Sequence, residues 1–285
     1  MGLFSPILKI NNAIIIHGPG RSGTTLLSNL LSLYSGFYWI SGYNNKFPEF
    51  PSLSILNNFL KCHYIEKYTR DKKKFPRPAE AYDFWKYYIP NFNEPNLIIG
   101  NIDCEKVNKC KETITKIGNR MNGKRFITKI TGYSRFTILN ELFSNPSIIW
   151  IERDPRIVVL SYYKQKWFYK KNEEKFNKTS KMELLEIYIE KYLSFYNDKK
   201  QLTRFNFTQV LYEDLIQDRK KVFTEIFSQL GEKINPQFQK TMDSWEVKQN
   251  LNNKYNNYLH KDELDFLNQS LKIPISEMGY TFNKS

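Results

Sequence analysis

The chain has 285 residues, 41% of them hydrophobic and 25% charged, which is the composition of an ordinary globular protein. Its 43 Lys and Arg outnumber 29 Asp and Glu, and the net charge of +14 favours polyanionic partners: nucleic acid, acidic membranes, or small molecules bearing phosphate or sulfate. Three cysteines are too few for a disulfide framework, and no apolar run reaches the roughly 18 residues of a membrane-spanning helix. We therefore expect a cytoplasmic protein without stable membrane insertion.

Cysteine and histidine do not show the spacing of a metal site. Cys104 and Cys110 lack a second ligand pair at zinc-site spacing, and His17, His63 and His260 are scattered. No metal cofactor is expected.

The first regular elements are predicted near the amino terminus. Residues 13–17 (AIIIH) form a short apolar run that ends at glycines, as a buried parallel strand does. Residues 24–34 carry leucines at the spacing of one helix face. The order is strand, glycine-rich loop, helix.

Residues 39–101 are the least regular part of the chain, with six prolines and many aromatic residues. We interpret this segment as an irregular helical insertion over the active site. No internal repeat or linker divides the sequence, so residues 1–285 are expected to form a single domain.

Further strands and helices alternate after the insertion. Strands are predicted at 125–130, 147–151 and 207–211, with a helix from 155 to about 170 and another over 212–230. Asp154 can cap the helix that begins at Pro155. This alternation predicts an α/β fold in which a P-loop-type parallel sheet is flanked by helices on both faces.

The glycine-rich loop has the features of a phosphate-binding site. The sequence GPGRSGTT (18–25) lies between a strand and a helix, where backbone N–H groups and the positive end of the helix dipole point at one place. Gly18 and Gly23 keep the spacing of the Walker A pattern, but Thr24 stands where that pattern has its lysine. The positive charge has moved to Arg21. This change argues against an ATPase or kinase, although a P-loop kinase or hydrolase with an altered loop stays as the alternative function.

The loop resembles the 5′-phosphosulfate loop of sulfotransferases that use 3′-phosphoadenosine-5′-phosphosulfate (PAPS). Its RSGTT form is similar to that of bacterial, carbohydrate and tyrosylprotein members rather than the cytosolic branch. The resemblance implies that the 5′-phosphate and sulfate are held by Gly20, Arg21, Ser22, Gly23, Thr24 and Thr25. It also implies that Arg21 neutralises charge on the leaving phosphate oxygen, a role that needs no metal.

A second motif, IWIERDPRIVVLS (149–161), resembles the family's 3′-phosphate motif. Arg153 can donate two hydrogen bonds to a phosphate, and Ser161 can add a hydroxyl. Tyr212, in LYEDL, resembles a family tyrosine near the nucleotide, but it also fits a core tyrosine that caps a helix. Two basic sites suit PAPS and its product 3′-phosphoadenosine 5′-phosphate (PAP), whereas ATP has no 3′-phosphate.

The catalytic residues are less clear from the sequence. Lys129 resembles the family lysine that stabilises the sulfuryl group in transfer. The cytosolic branch has a histidine shortly after it, and here Thr131 takes that place. For the general base we favour Glu80, which stands between Pro78 and an aromatic helix, and keep Glu49 and His63 as alternatives.

The sequence thus predicts an enzyme that moves a sulfuryl group in line from PAPS to a hydroxyl or amine. The acceptor is a small molecule, glycan or lipid; the aromatic insertion suits a glycan or glycolipid, as it suits an ordinary core. A nucleic-acid partner is not expected, because the best-ordered basic residues fall at strand ends. The oligomeric state is open.

Overall fold

The structure, a computed structural model, describes residues 9–70, 76–94, 103–169, 172–246 and 258–282. Strands in these ranges are β1 (Ile10–Asn11), β2 (Ile14–Gly18), β3 (Phe37–Tyr38), β4 (Arg125–Thr131), β5 (Phe143–Ser144), β6 (Ser147–Glu152) and β7 (Asn206–Leu211). The main sheet has the order β3-β4-β2-β6-β7 and all its pairs are parallel; β1 and β5 form a separate parallel pair. The predicted α/β fold is confirmed.

Helices alternate with the strands along the chain. They are α1 (Thr24–Leu31), α2 (Gly42–Lys46), α3 (His63–Thr69), α4 (Tyr82–Tyr88), α5 (Cys104–Met121), α6 (Phe136–Leu142), α7 (Pro155–Lys164), α8 (Glu173–Lys178), α9 (Lys181–Asn197), α10 (Tyr212–Gln217), α11 (Arg219–Leu230), α12 (Pro236–Ser244), α13 (Lys261–Ser270) and α14 (Lys272–Glu277). The 3₁₀ helices are Pro51–Lys61 and Asp198–Arg204. No helix in the described ranges combines the length and apolarity needed to cross a membrane.

Strand β2 is the point at which the sheet order reverses, because its successors lie on opposite sides of it. Gly18 at its end lies beside Thr131 of β4, and His17 beside Trp150 of β6. In parallel α/β sheets ligands bind outside the carboxyl ends of the strands at such a switch point. The topology therefore directs attention to the loops after β2, β4 and β6.

The strands around this point are buried on both faces, as their continuous apolar runs predict. Every residue of β2 and of β6 is buried. A second apolar cluster forms where α7 packs on α9, and it includes Leu267 and Ile275 near the carboxyl terminus. The loops at the switch point therefore follow strands that are anchored in the core.

The helices predicted after β6 and β7 are shorter than the sequence pattern indicated. The helix from Pro155 ends at Lys164 instead of about 170, and a turn follows in which Lys166 and Phe168 have positive φ angles. The predicted helix over 212–230 is two helices, because Asp218 leaves the helical conformation and its side chain accepts from Lys221 N. An N-cap aspartate inside a periodic pattern starts a new helix.

The predicted insertion contains α2 to α4 and a 3₁₀ helix, while its residues 71–75 and 95–101 lie outside the described ranges. A backbone bridge joins Ser41 to Pro78, and Ala79 N donates to Ile40 O. These contacts hold residues 77–82 against the chain that leaves β3. β3 pairs with the start of β4, and the insertion reaches the end of that strand, where Tyr82 OH donates to Thr131 O.

Candidate active site

The loop between β2 and α1 leaves the start of the helix open to an anion. Gly23 is the N-cap residue of α1 with φ +94°, and no side chain caps the helix. A Cβ at Gly23 would lie 2.3 Å from the ring of Tyr212, so only glycine fits this close approach. The Ser22 hydroxyl is fully buried and has no partner among the described residues. Unpaired amides and a buried hydroxyl are what a bound phosphate needs.

Arg21 connects this loop to the second motif. Its Nε donates to Ser161 Oγ on α7 at 3.0 Å, and its backbone has φ +71°. A non-glycine backbone in the left-handed region costs free energy that surrounding contacts must offset, and such residues cluster at ligand sites. The two sequence motifs therefore meet in space.

Arg153 follows β6 and lies against the first residue of α10. Its guanidinium carbon is 4.4 Å from the centre of the Tyr212 ring. The same ring fills the space beside Gly23. Tyr212 therefore lies between the glycine loop and Arg153.

Lys129 extends from β4 to the phosphate loop. Its Nζ lies 3.0 Å from Thr25 Oγ1 and 3.5 Å from Glu80 Oε2, and the residue is buried. A buried ammonium group beside a phosphate loop supplies positive charge in a place of low dielectric, where it acts more strongly than in water.

Glu80 is brought to the same place by the insertion. Its Oε1 accepts from the hydroxyls of Tyr82 (2.8 Å) and Thr131, in addition to the contact with Lys129. Burial, and the charge of Glu80, raise the pKa of Tyr82, so its hydroxyl stays protonated and donates. Three groups thus fix the orientation of this carboxylate.

The other two candidates for the base are differently placed. Glu49 is exposed and accepts a hydrogen bond from Tyr87 at the end of α4. His63 is the first residue of α3, and its side chain lies outside the described part of the structure. Of the three candidates, Glu80 is the one with described contacts to Lys129 and Thr131.

Sequence reasoning missed two residues that support the loop between β2 and α1, one on α7 and one in the turn after it. Tyr162 OH donates to Gly20 O at 3.1 Å, and the Tyr162 ring stacks on Trp167. A Cβ at Gly20 would lie 2.0 Å from the Trp167 ring. Aromatic residues on a helix face gave no signal that distinguishes them from core residues.

His17, immediately before the loop, is also a supporting residue. Its Nδ1 bonds Ile130 O at 2.6 Å between the rings of Phe136 and Trp150. Burial lowers the pKa of His17 to about 4, so the ring is neutral near pH 7 and Nδ1–H is the donor.

Arg156, the second arginine of the RDPR motif, has a structural partner. Its Nε and Nη2 donate to the carboxylate of Asp154 at 3.0 and 2.8 Å, and its Nη1 donates to Thr281 O. Both side chains of the pair are buried. Arg156 therefore ties the carboxyl-terminal segment to the start of α7, whereas Arg153 lies against the Tyr212 ring.

Among the residues that the structure describes, no group of three or more His, Cys, Asp and Glu side chains is placed to hold a metal ion.

One family profile matches most of the chain, and several solved structures share its fold. The family profile described as "Sulfotransferase family" matches residues 13–236. The solved structure of sulfotransferase STF9 from Mycobacterium avium has a TM-score of 0.66 at 15% identity, covering 98% of this chain and 79% of that one. STF1 from Mycobacterium tuberculosis H37Rv has a TM-score of 0.55 at 11% identity, covering 92% and 76%. The sulfotransferase domain from the curacin biosynthetic pathway has a TM-score of 0.54 at 13% identity, covering 96% and 100%.

No curated protein matches the sequence at a significant level. At such low identities the solved structures show the fold, and the profile match, which spans most of the sequence, shows the family. The chain belongs to the sulfotransferase family.

Proposed function

We propose that the protein transfers a sulfuryl group from PAPS to the hydroxyl, or amine, of a small acceptor. The observation that carries the proposal is the position of Lys129, whose Nζ contacts Thr25 of the phosphate loop at 3.0 Å and Glu80 at 3.5 Å. One cation therefore adjoins both an anion-binding loop and a carboxylate that can take a proton. This pairing is what sulfuryl transfer to a hydroxyl requires.

The residues of the two motifs suit a nucleotide phosphorylated at both ends. The 5′ end would be held by the loop, through Gly20, Arg21, Ser22, Gly23, Thr24 and Thr25. The 3′-phosphate would be held by Arg153 and Ser161, with Tyr212 against the nucleotide. The uncapped start of α1 and the unpartnered Ser22 hydroxyl support placing the 5′-phosphate at the loop. The hydrogen bond from Arg21 to Ser161 supports placing the two phosphate positions close together.

PAPS supplies an activated sulfuryl group, so the protein's own task is to position the reactants and stabilise charge. Glu80 accepts the proton of the acceptor hydroxyl, and the hydroxyls of Tyr82 and Thr131 keep its carboxylate aimed. Lys129 stabilises the sulfuryl group during transfer, and Arg21 stabilises the phosphate oxygen that departs. None of these roles uses a metal.

The acceptor class and the cellular location are proposed from the sequence alone. The cytoplasmic location stays a prediction, and a glycan or glycolipid stays one of the acceptor classes that the sequence allows beside a small molecule.

The nucleotide assignment is tested by titration calorimetry with PAP, 5′-AMP and Mg-ATP. We expect PAP to bind more tightly than 5′-AMP, because only PAP uses Arg153, and Mg-ATP to bind weakly or not at all. Arg153→Ala should remove the advantage of PAP over 5′-AMP. Arg204→Ala, which alters an exposed arginine on a 3₁₀ helix, is the matched control and should keep it. Tighter binding of Mg-ATP than of PAP would overturn the proposal in favour of a kinase or hydrolase.

A further inference from the structure

A cavity of about 200 Å³ opens beside Glu80. Its lining combines the ends of β4 and α7 with the insertion and α9. An engineered apolar cavity of about 150 Å³ binds benzene, so this volume suits one substituted ring rather than an oligosaccharide.

Most of the wall is aromatic. Trp167 and Phe168 line one part of it, and Tyr133 and Phe195 meet edge to face at 5.0 Å in another. Phe168 is 51% exposed, which leaves an apolar ring surface for a ligand to cover. Aromatic walls of this kind favour a planar ring through stacking and edge contacts.

The cavity also holds a buried cation, Arg135. Its Nε and Nη1 donate to the carbonyls of Phe92 and Tyr133, while Nη2 makes no hydrogen bond with the described residues. No acidic side chain in the described ranges forms a salt bridge with it. Glu80 and Asp198 are near enough to act on its charge, but Glu80 pairs with Lys129 and Asp198 accepts from Ser134 N.

Two further features of the cavity lining support a ligand site. Arg135 has φ +52° and Phe168 has φ +67°, and non-glycine residues in the left-handed region cluster where ligands bind. Asn93 also lines the cavity, and its buried Oδ1 has no partner among the described residues. An amide can be turned to donate or to accept, so Asn93 can serve the same ligand as Arg135.

We propose that the acceptor is a hydroxylated aromatic acid: a single ring whose hydroxyl faces Glu80 and whose anionic substituent pairs with Arg135. The aromatic wall selects the ring, and the unused Nη2 of Arg135 selects the negative charge. Because a hydrogen bond between a guanidinium and a carboxylate is about twice as strong as a neutral one, removal of the charge should weaken binding markedly. This inference rests on the proposed function, since it assigns the acceptor of the same site.

The test is titration calorimetry of acceptors into the enzyme saturated with PAP, a complex that cannot react. The probes are 2-, 3- and 4-hydroxybenzoate, each beside its hydroxybenzamide, which has the same shape without the charge, and its cationic hydroxybenzylamine. For at least one ring position we expect the acid to bind about tenfold more tightly than the amide, and the amine to bind least. This comparison uses the unaltered protein, so it does not depend on the folding of a variant.

Arg135→Gln should abolish the preference for acid over amide, Arg135→Lys should retain part of it, and Arg204→Gln should leave it unchanged. Equal binding of acid and amide, tighter binding of glucose or galactose than of any acid, or no binding of any acid to the PAP complex would overturn the inference. The last result leaves the sulfotransferase assignment standing, because PAP has bound. Failure of PAP itself to bind defeats the proposed function, and the acceptor assignment with it.

Discussion

Arg21 Nε donates a hydrogen bond to Ser161 Oγ at 3.0 Å, across 140 residues of sequence. Arg21 belongs to the loop after β2, and Ser161 to the helix after β6, the neighbouring strand. The bond joins the two segments assigned to the 5′ and 3′ ends of the nucleotide. Each segment alone is a common kind of loop, and in the proposed function their contact joins the two anion positions into one site.

Ser161→Ala should weaken PAP binding about fivefold, because a typical hydrogen bond contributes about 1 kcal/mol. The loss arises from the missing hydroxyl and from the freer Arg21 side chain. Calorimetry with PAP measures it, and Ser161→Thr, which keeps a hydroxyl, should recover most of the affinity. Unchanged affinity in Ser161→Ala would remove Ser161 from the site.

Glu80→Gln should lower kcat by about 10²- to 10⁴-fold, the usual contribution of a general base, and leave PAP affinity nearly unchanged. Glutamine keeps the size of the side chain and can still accept from Tyr82 and Thr131. Steady-state transfer rates measure the effect. The matched control is Glu49→Gln, in which an exposed carboxylate bonded to Tyr87 is neutralised. Equal losses in the two variants would contradict the assignment of Glu80.

The two arginines of the RDPR motif should behave in opposite ways. Arg156→Ala removes one partner of a buried ion pair with Asp154, and loss of such a partner costs about 3 kcal/mol or more of unfolding free energy. Arg153→Ala should change that free energy little and PAP affinity strongly. Urea unfolding and calorimetry on both variants separate the effects. Greater destabilisation by Arg153→Ala than by Arg156→Ala would reverse the account.

His17 should make the protein sensitive to mild acid. Burial lowers its pKa to about 4 from an ordinary value of 6.5, so between these values the unfolded chain binds more protons than the folded one. The stability due to the neutral ring is complete above pH 6.5 and is lost as the pH falls towards 4. From pH 7 to pH 5 this amounts to about 2 kcal/mol.

The measurement is urea unfolding at pH 7 and pH 5 for the wild type and His17→Gln. The difference in unfolding free energy between pH 7 and pH 5 should be about 2 kcal/mol smaller in the variant than in the wild type, whatever the variant's absolute stability. Parallel pH dependence of the two proteins would show that His17 does not titrate as its burial implies.

The sequence predicted the parts of the fold that depend on local patterns. The apolar runs before Gly18 and before Arg153 predicted two strands, and the motifs that follow them predicted the loops and the neighbouring helix starts. Helix ends were less predictable: Asp218 interrupts a periodic pattern because its side chain caps a second helix, and periodicity does not reveal this.

Some residues of the candidate site could be predicted from local sequence patterns, and others could not. Lys129 and the phosphate loop could be identified because each lies at the end of a predicted strand. Glu80 was one of three candidates, since its segment is brought to β4 by tertiary contacts such as the bridge between Ser41 and Pro78, which the sequence does not reveal. Arg135 gave no signal, because the cavity that it lines is assembled from distant segments of the chain.

The central claim is tested most directly by following the label from [³⁵S]PAPS with wild-type protein and Glu80→Gln, using a panel of hydroxybenzoates, simple sugars and amines. The account predicts that wild type releases PAP and places the label on at least one acceptor, at a rate that falls at least a hundredfold in Glu80→Gln. If no acceptor is labelled by protein that binds PAP, or both proteins label it equally fast, the account is contradicted.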